Sequence, residues 1–218
     1  MSPEDRDRLL EALLPHVPFD GWGEAGLRQA AADLGLDPAA AADALPNAAA
    51  QVAAFAAWAD RQMLARLEAP EAADALARMK VRERVSFALK SRFELLAPHK
   101  EAVRLALRHY AFPTNAAAGL TALHRTSDAV WNAIGDASTD YNWYSKRFLL
   151  SGVISATTLY WLEDRSEDHA RTWAFLDRQL LQVVKIGGRL GKGMKQLLSL
   201  PDRLLQQGMK AGRKGFGA

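Results

Sequence analysis

Apolar positions recur along this chain at spacings of three and four residues, the period of an α-helix. Runs that alternate apolar and polar, as a half-buried strand would, are missing. The first stripe is Leu9, Leu10, Leu13 and Leu14. Ser2-Pro3-Glu4-Asp5 opens it with helix-start chemistry: Ser2 as N-cap, Pro3 in the first turn, acids near the positive helix end. The stripe stops near Pro15, and residues 16–23, with two Gly and a Pro, read as a loop. Further helices are predicted over 24–34, closed by Gly35, then briefly from Asp37-Pro38, then from about Asn47 to Leu67. Residues 69–74 read as a break. Beyond it the pattern predicts helices over 81–96, 100–110, 116–134, 141–162 and about 169–186, with a turn at 112–115 and loops at 135–140 and 163–168. The predicted fold class is all-α.

Composition supports a folded core: 49 % of the 218 residues are apolar and 24 % charged, which excludes a wholly disordered chain. Without Cys there is no disulfide framework, thiolate metal site or catalytic thiol. Residues 1–7 are acidic where a signal or transit peptide would be basic, so none is expected there. The longest strongly apolar uncharged run, 148–162, is short of the roughly 20 residues a spanning helix needs. The net charge of +3 hides an asymmetry. From Lys185 onward eight basic residues face the single acid Asp202, so the tail carries +7 and the rest −4. A basic tail on a mildly acidic body points to an anionic partner surface, nucleic acid or phospholipid.

Leu27, Ala30, Ala31 and Leu34, then Gly35, then a short helix after a three-residue turn, follow the helix-turn-helix pattern. With one helix before and a longer one after, the N-terminal segment resembles the DNA-binding head of a TetR-type regulator. Charge argues against DNA. Between Gln29 and Asp60 there is no Lys or Arg, while Asp33, Asp37, Asp43 and Asp60 are present. Phosphate contacts need cations, and base reading needs Arg, Lys, Asn or Gln. A recognition helix of Ala with Asp43 supplies neither, so the expectation is a scaffold without nucleic-acid binding.

Catalytic motifs are absent. His16, His99, His109, His124 and His169 make no His-x-x-x-His or Glu-x-x-His pair, and neither Gly-x-Ser-x-Gly nor a phosphate-binding P-loop occurs. Gly21-Trp-Gly23-Glu-Ala-Gly26 matches a dinucleotide fingerprint by letter but follows no strand. The chain is expected to be no enzyme and to carry no metal or cofactor.

The most informative stretch is 128–147. Ser138 or Thr139 can cap the next helix, with Asp140 near its positive end. Trp143 and Tyr144 are adjacent, so they point about 100° apart on a helix. Both can be core; alternatively one of them sits at the surface near Arg147, as in a protein-binding hot spot. The run Gly135-Asp136-x-Ser138-Thr139-Asp140-x-Asn142-Trp143-Tyr144-x-Lys146-Arg147 resembles the signature of the lipid-binding accessory family of ubiquinone biosynthesis, the ninth of the coenzyme Q biosynthesis proteins. Thr172-Trp173-x-Phe175-Leu176 matches too, as does Trp22 with Ala30-Ala31-x-x-Leu34-Gly35-Leu36. The resemblance implies a TetR-like fold without DNA binding, a homodimer, and an apolar cavity for an isoprenoid lipid or quinone intermediate. It further implies a membrane-binding C-terminal helix and a partner, the di-iron demethoxyubiquinone hydroxylase, docked through Asp140, Trp143 and Tyr144.

A cavity is therefore expected between three walls: Phe148, Leu149, Gly152, Val153 and Ala156; Val130, Trp131 and Ile134; and Val103, Leu107 and Phe112. The tail is expected to lie on anionic membrane through Met194, Leu197, Leu198, Leu204, Leu205 and Met209, with Lys192, Lys195 and Arg203 supplying charge. The organisation read from the sequence is a helix-turn-helix-like head at 1–68, a lipid-binding and dimerisation domain at 69–186, and a basic Gly-rich tail at 187–218. The expected location is cytoplasmic and peripheral on a bacterial inner membrane, or the matrix side of the mitochondrial inner membrane for a processed eukaryotic chain. The alternative function is a TetR-type ligand-sensing transcriptional regulator.

Each Lys or Arg near an anionic surface contributes about 1 kcal/mol, so binding by the tail should be reversible and salt-sensitive. Truncation after Ile186 should abolish cosedimentation with anionic vesicles, and raised salt should weaken it in the full chain. Equal sedimentation of the truncated and full chains would contradict a membrane-binding tail.

Overall fold

The computed structural model describes residues 1–135 and 141–183, the side chains of 141–144 excepted, and all its regular elements there are helical. Helices α1 (Pro3–Leu13), α2 (Val17–Asp20), α3 (Glu24–Asp33) and α4 (Pro38–Ala44) form the N-terminal head. The long α5 (Ala48–Glu68) leads out of it to α6 (Pro70–Arg78) and α7 (Val81–Leu96). Then come α8 (Lys100–Ala111), α9 (Pro113–Ala133), α10 (Tyr141–Glu163) and, last among the described residues, α11 over residues 170–183.

The helix ends follow from local chemistry. Ser2 caps α1 in a reciprocal capping box with Asp5, and Asp37 and Asn47 side chains accept from the first turns of α4 and α5. At the end of α3, Gly35 takes φ +63°, Leu36 N donates to Ala31 O and Gly35 N donates to Ala32 O. That paired closure is a Schellman turn, and its left-handed residue favours glycine.

Prolines separate the expected elements from the observed ones. The loop predicted over 16–23 contains the single turn α2, held by Phe19 N and Asp20 N on His16 O, with Val17 wholly buried. The break predicted at 69–74 is confined to Ala69 (φ −58°, ψ 139°), and Pro70 starts α6. The turn predicted at 112–115 is likewise already helix from Pro113. In each case a proline occupies the first turn of a new helix, where its missing N–H has no partner to lose.

One buried cluster runs from Leu9 in α1 to Leu180 in α11. The junction expected at 68/69 falls in the turn between α5 and α6, and that cluster continues across it. Indole donors tie head to body: Trp22 Nε1 donates to Ala102 O at 3.2 Å, and Trp58 Nε1 to Glu11 Oε1 at 2.9 Å. Among the described residues no helix is long and apolar enough to cross a membrane.

The turn between α10 and α11 depends on one carboxylate. Asp164 Oδ1 accepts from Ser166 N (2.9 Å) and Oγ (2.7 Å), and Oδ2 accepts from Thr172 N (2.9 Å) and Oγ1 (2.6 Å). Burial alone would raise its pKa, but these four donors overcome it and hold the carboxyl well below the usual range. Lys100 Nζ, from α8, donates to the carbonyls of Trp161 and Asp164 at 3.0 and 3.1 Å, satisfying the negative end of α10.

A carboxyl whose pKa is depressed by folding contributes stability above its unfolded pKa and loses it as pH falls below that value. Asp164→Asn should therefore cost about 2–3 kcal/mol at neutral pH. Its deficit against the wild type, measured by urea unfolding, should shrink as pH is lowered through about 4. An equal deficit at pH 7 and pH 3 would contradict this role.

Candidate functional site

Helices α5, α7, α8, α9 and α10 enclose a cavity of about 460 Å³, within the usual range for small-molecule sites. Most of its wall is hydrocarbon, including Val52 and Phe55 of α5, Leu96 of α7, Val103 and Leu107 of α8 and Leu123 of α9. The space exists because α9 turns a small-residue face inward: Ala116, Gly119, Ala122 and Thr126 recur at helical spacing along the lining. Gly119 also sets how closely α8 packs. A Cβ there would lie 2.9 Å from both Cβ and Cγ of Tyr110, too close for either helix to stay in place. Leu120 (68 % exposed) and Leu159 (62 %) belong to both the lining and the solvent surface, and so mark the mouth between α9 and α10.

The wall is not uniformly apolar. Asp60 of α5 is buried and accepts from Arg92 Nε at 3.0 Å and from Thr126 Oγ1 at 2.9 and 3.1 Å. Arg125 Nε stands 3.6 Å from its other oxygen. Arg92, Thr126 and Tyr110 all reach the cavity. Burial raises the Tyr110 phenol above its ordinary pKa, with Arg125 lowering it and Asp60 adding to the rise.

The residues expected to line a cavity divide. Val103 and Leu107 line this one. Phe112 does not; it caps α9 and is 64 % exposed. Val130, Trp131 and Ile134 are buried in the core beyond the cavity, because α9 lines it with its earlier turns. On α10 the expected face was 148, 149, 152, 153 and 156, and the lining face is Ile154, Ser155, Thr158 and Leu159. The two faces are offset by about two residues, roughly 200° around the helix. Val153 packs in the core, Phe148 and Gly152 are exposed, and Leu149 is half-buried. Ala156 borders a second, more open pocket of about 540 Å³ that shares Leu159 and stacks Tyr160 on Phe175 at 4.6 Å. Glu163, Asp164 and Arg171 line that pocket, which suits hydrocarbon less well. Sequence reasoning missed the Asp60–Arg92 pair, which is tertiary, and Tyr110, which reaches the cavity from α8; the Ala116, Gly119, Ala122 and Thr126 spacing was a readable signal of the cavity face.

Trp143 and Tyr144 fall on the first turn of α10, and their side chains, like all of Asp140, lie outside the described residues. One turn later Arg147, expected beside an exposed aromatic patch, is buried at 1 % exposure. Its Nε donates to Asp128 Oδ1 at 2.5 Å and its Nη2 to Asn132 Oδ1 at 3.1 Å, while its carbonyl accepts from Ser127 Oγ at 2.9 Å. It clamps the start of α10 onto α9 because a buried guanidinium needs partners, and α9 supplies them. The tail residues Lys192, Met194, Lys195, Leu197, Leu198, Arg203, Leu204, Leu205 and Met209 lie outside the described residues. Among the described residues no group of three His, Asp or Glu could hold a metal.

Fold and site together define an all-α, TetR-like protein with an apolar internal cavity. A TetR transcriptional regulator from Nitrosomonas europaea matches the structure with a TM-score of 0.65 at 17 % identity, covering 83 % of this chain and 98 % of that one. Its likeness establishes the fold. Residues 116–187 match the COQ9 family. The chain is 30 % identical over 202 residues to the mitochondrial ubiquinone biosynthesis proteins COQ9 of Rattus norvegicus and of Homo sapiens, aligning 91 % of itself with 64 % and 62 % of their lengths. A probable mitochondrial ubiquinone biosynthesis protein coq9 of Dictyostelium discoideum is 27 % identical over 82 % of this chain and 59 % of its own. The chain is thus similar to COQ9 proteins along most of its own length, and to the family model over residues 116–187. It spans somewhat less than two thirds of the curated relatives named here.

Proposed function

We propose that this chain serves ubiquinone biosynthesis as a lipid carrier, holding an isoprenoid quinone precursor in its cavity and presenting it to the demethoxyubiquinone hydroxylase at a membrane surface. The observation that carries this reading is the apolar cavity of about 460 Å³, open between Leu120 and Leu159. A polyprenyl tail has no hydrogen-bonding groups, so what it needs is apolar area, each buried methylene contributing about 0.8 kcal/mol. Covering such a tail lowers the cost of lifting it out of the bilayer toward an active site. No bond is made or broken by this chain in such a role. The names of its relatives support the pathway and a mitochondrial setting.

Docking of the hydroxylase is assigned to Asp140 and to Trp143 and Tyr144, the latter two on the first turn of α10, the helix that Arg147 holds against α9. Homodimerisation and attachment through the basic tail complete the proposal. The rival reading, a DNA-binding regulator of the same fold, is disfavoured by the surface of α4: Pro38, Ala39, Ala40, Ala42 and Asp43 are exposed, with no cation among them. The nearby cation on α3, Arg28, already pairs with Glu24 at 2.5 Å.

Ala106 is buried at 8 % exposure on the cavity wall, so Ala106→Trp should fill the space. On vesicles containing the demethoxy substrate, the wild-type chain should raise the hydroxylase rate, and Ala106→Trp should lose most of that stimulation. Trp143→Ala with Tyr144→Ala should lose it too, while retaining bound lipid and thermal stability. Equal stimulation by all three proteins would contradict the carrier role.

A further inference from the structure

The carrier reading accounts for the hydrocarbon wall and leaves three polar groups of the lining without a task. Arg92 is mostly buried, with 13 % of its side chain exposed, and Asp60 engages only its Nε. Its Nη1 and Nη2 hold no hydrogen bond among the described residues. Tyr110 reaches the same cavity from α8 and Ser155 from α10, and neither hydroxyl has a partner there. All three residues are partly buried, and donors left open toward an apolar cavity are what fixes a ligand's orientation. Asp60 pairs with Arg92 at 3.0 Å; its second cation, Arg125, is half-exposed to water and does not line the cavity, and the other two groups are uncharged at neutral pH, so the lining favours a neutral acceptor over an anion.

Resting on the carrier reading, we propose that this part of the wall is a head-group site: Arg92 Nη, the Tyr110 hydroxyl and the Ser155 hydroxyl hydrogen-bond the oxygens of a neutral ring bearing carbonyl, phenol or methoxy groups. The ring then enters first, against α7 and α8, and the hydrocarbon tail leaves between Leu120 and Leu159. Gly119 belongs to this site as a spacer, because its missing Cβ is what lets the Tyr110 ring lie against α9. Asp60 and Thr126 act through Arg92: they hold its Nε edge so that the two Nη groups remain for the ligand.

The test compares three probes on the full chain by displacement of a bound aminoanthracene dye: decylubiquinone, decylbenzene and hexadecanoate. The wild type should bind decylubiquinone more tightly than decylbenzene, which has the same tail on a bare ring. Tyr110→Phe and Arg92→Lys should each weaken decylubiquinone by about three- to ten-fold, the worth of one or two hydrogen bonds, and leave decylbenzene unchanged. Tyr110→Phe breaks no hydrogen bond among the described residues, so its unfolding midpoint should match the wild type and rule out a folding effect. Equal binding of the two ring probes by the wild type, or no loss in either variant, would overturn the head-group site while leaving the cavity reading intact. Preference for hexadecanoate would replace the neutral ring by a carboxylate. Failure of all three probes to displace the dye would remove the carrier reading and the head-group site with it.

Discussion

A carboxylate buried in a helical protein must collect donors, and Asp60 collects them from two other helices. Arg92 reaches it from α7, and Thr126 and Arg125 from α9. That arrangement fixes α5, α7 and α9 around a common point, and α8 and α10 close the remaining sides. Removal of the carboxylate would leave Arg92 buried beside an apolar space without its charge partner, a loss of about 3–5 kcal/mol for such pairs. The cavity exists because this polar joint holds the helices at a spacing that the small residues of α9 cannot fill.

The same economy of contacts recurs at both ends of α10. Arg147 locks its first turns onto α9 through Asp128 and Asn132, and Lys100 and Asp164 fix its last turn and its exit into α11. A helix held at both ends presents its middle, Ile154 to Leu159, to the cavity at a defined angle. The turn after the one that carries Trp143 and Tyr144 is pinned to α9 by the ion pair of buried Arg147 with Asp128. Carriage and docking, in the proposed account, thus share one rigid element.

Much of this was legible in the residues. Ser2, Asp37 and Asn47 marked helix starts and Gly35 a helix end, and the structure has all four. The helix-turn-helix spacing of Leu27, Ala30, Ala31, Leu34 and Gly35 pointed to the TetR-like fold that the structure has. Pro18, Pro70 and Pro113 each stand in the first turn of a new helix, so the loop, break and turn expected around them are largely helical. The face of α10 was misread. It is apolar nearly all round, so periodicity could not say which side meets the cavity. The polar lining was illegible in principle, since Asp60 meets partners 32 and 66 positions away and nothing local in the sequence announces either contact.

The central claim is that the cavity holds an isoprenoid lipid. Native mass spectrometry of the full chain, purified without added detergent and then incubated with membrane extract, tests it most directly. The account predicts a protein population heavier by the mass of an isoprenoid quinone or its precursor, released as that molecule on collisional activation. A chain that stays at its bare mass after exposure to such an extract, or that takes up lipids without regard to an isoprenoid tail, would contradict it.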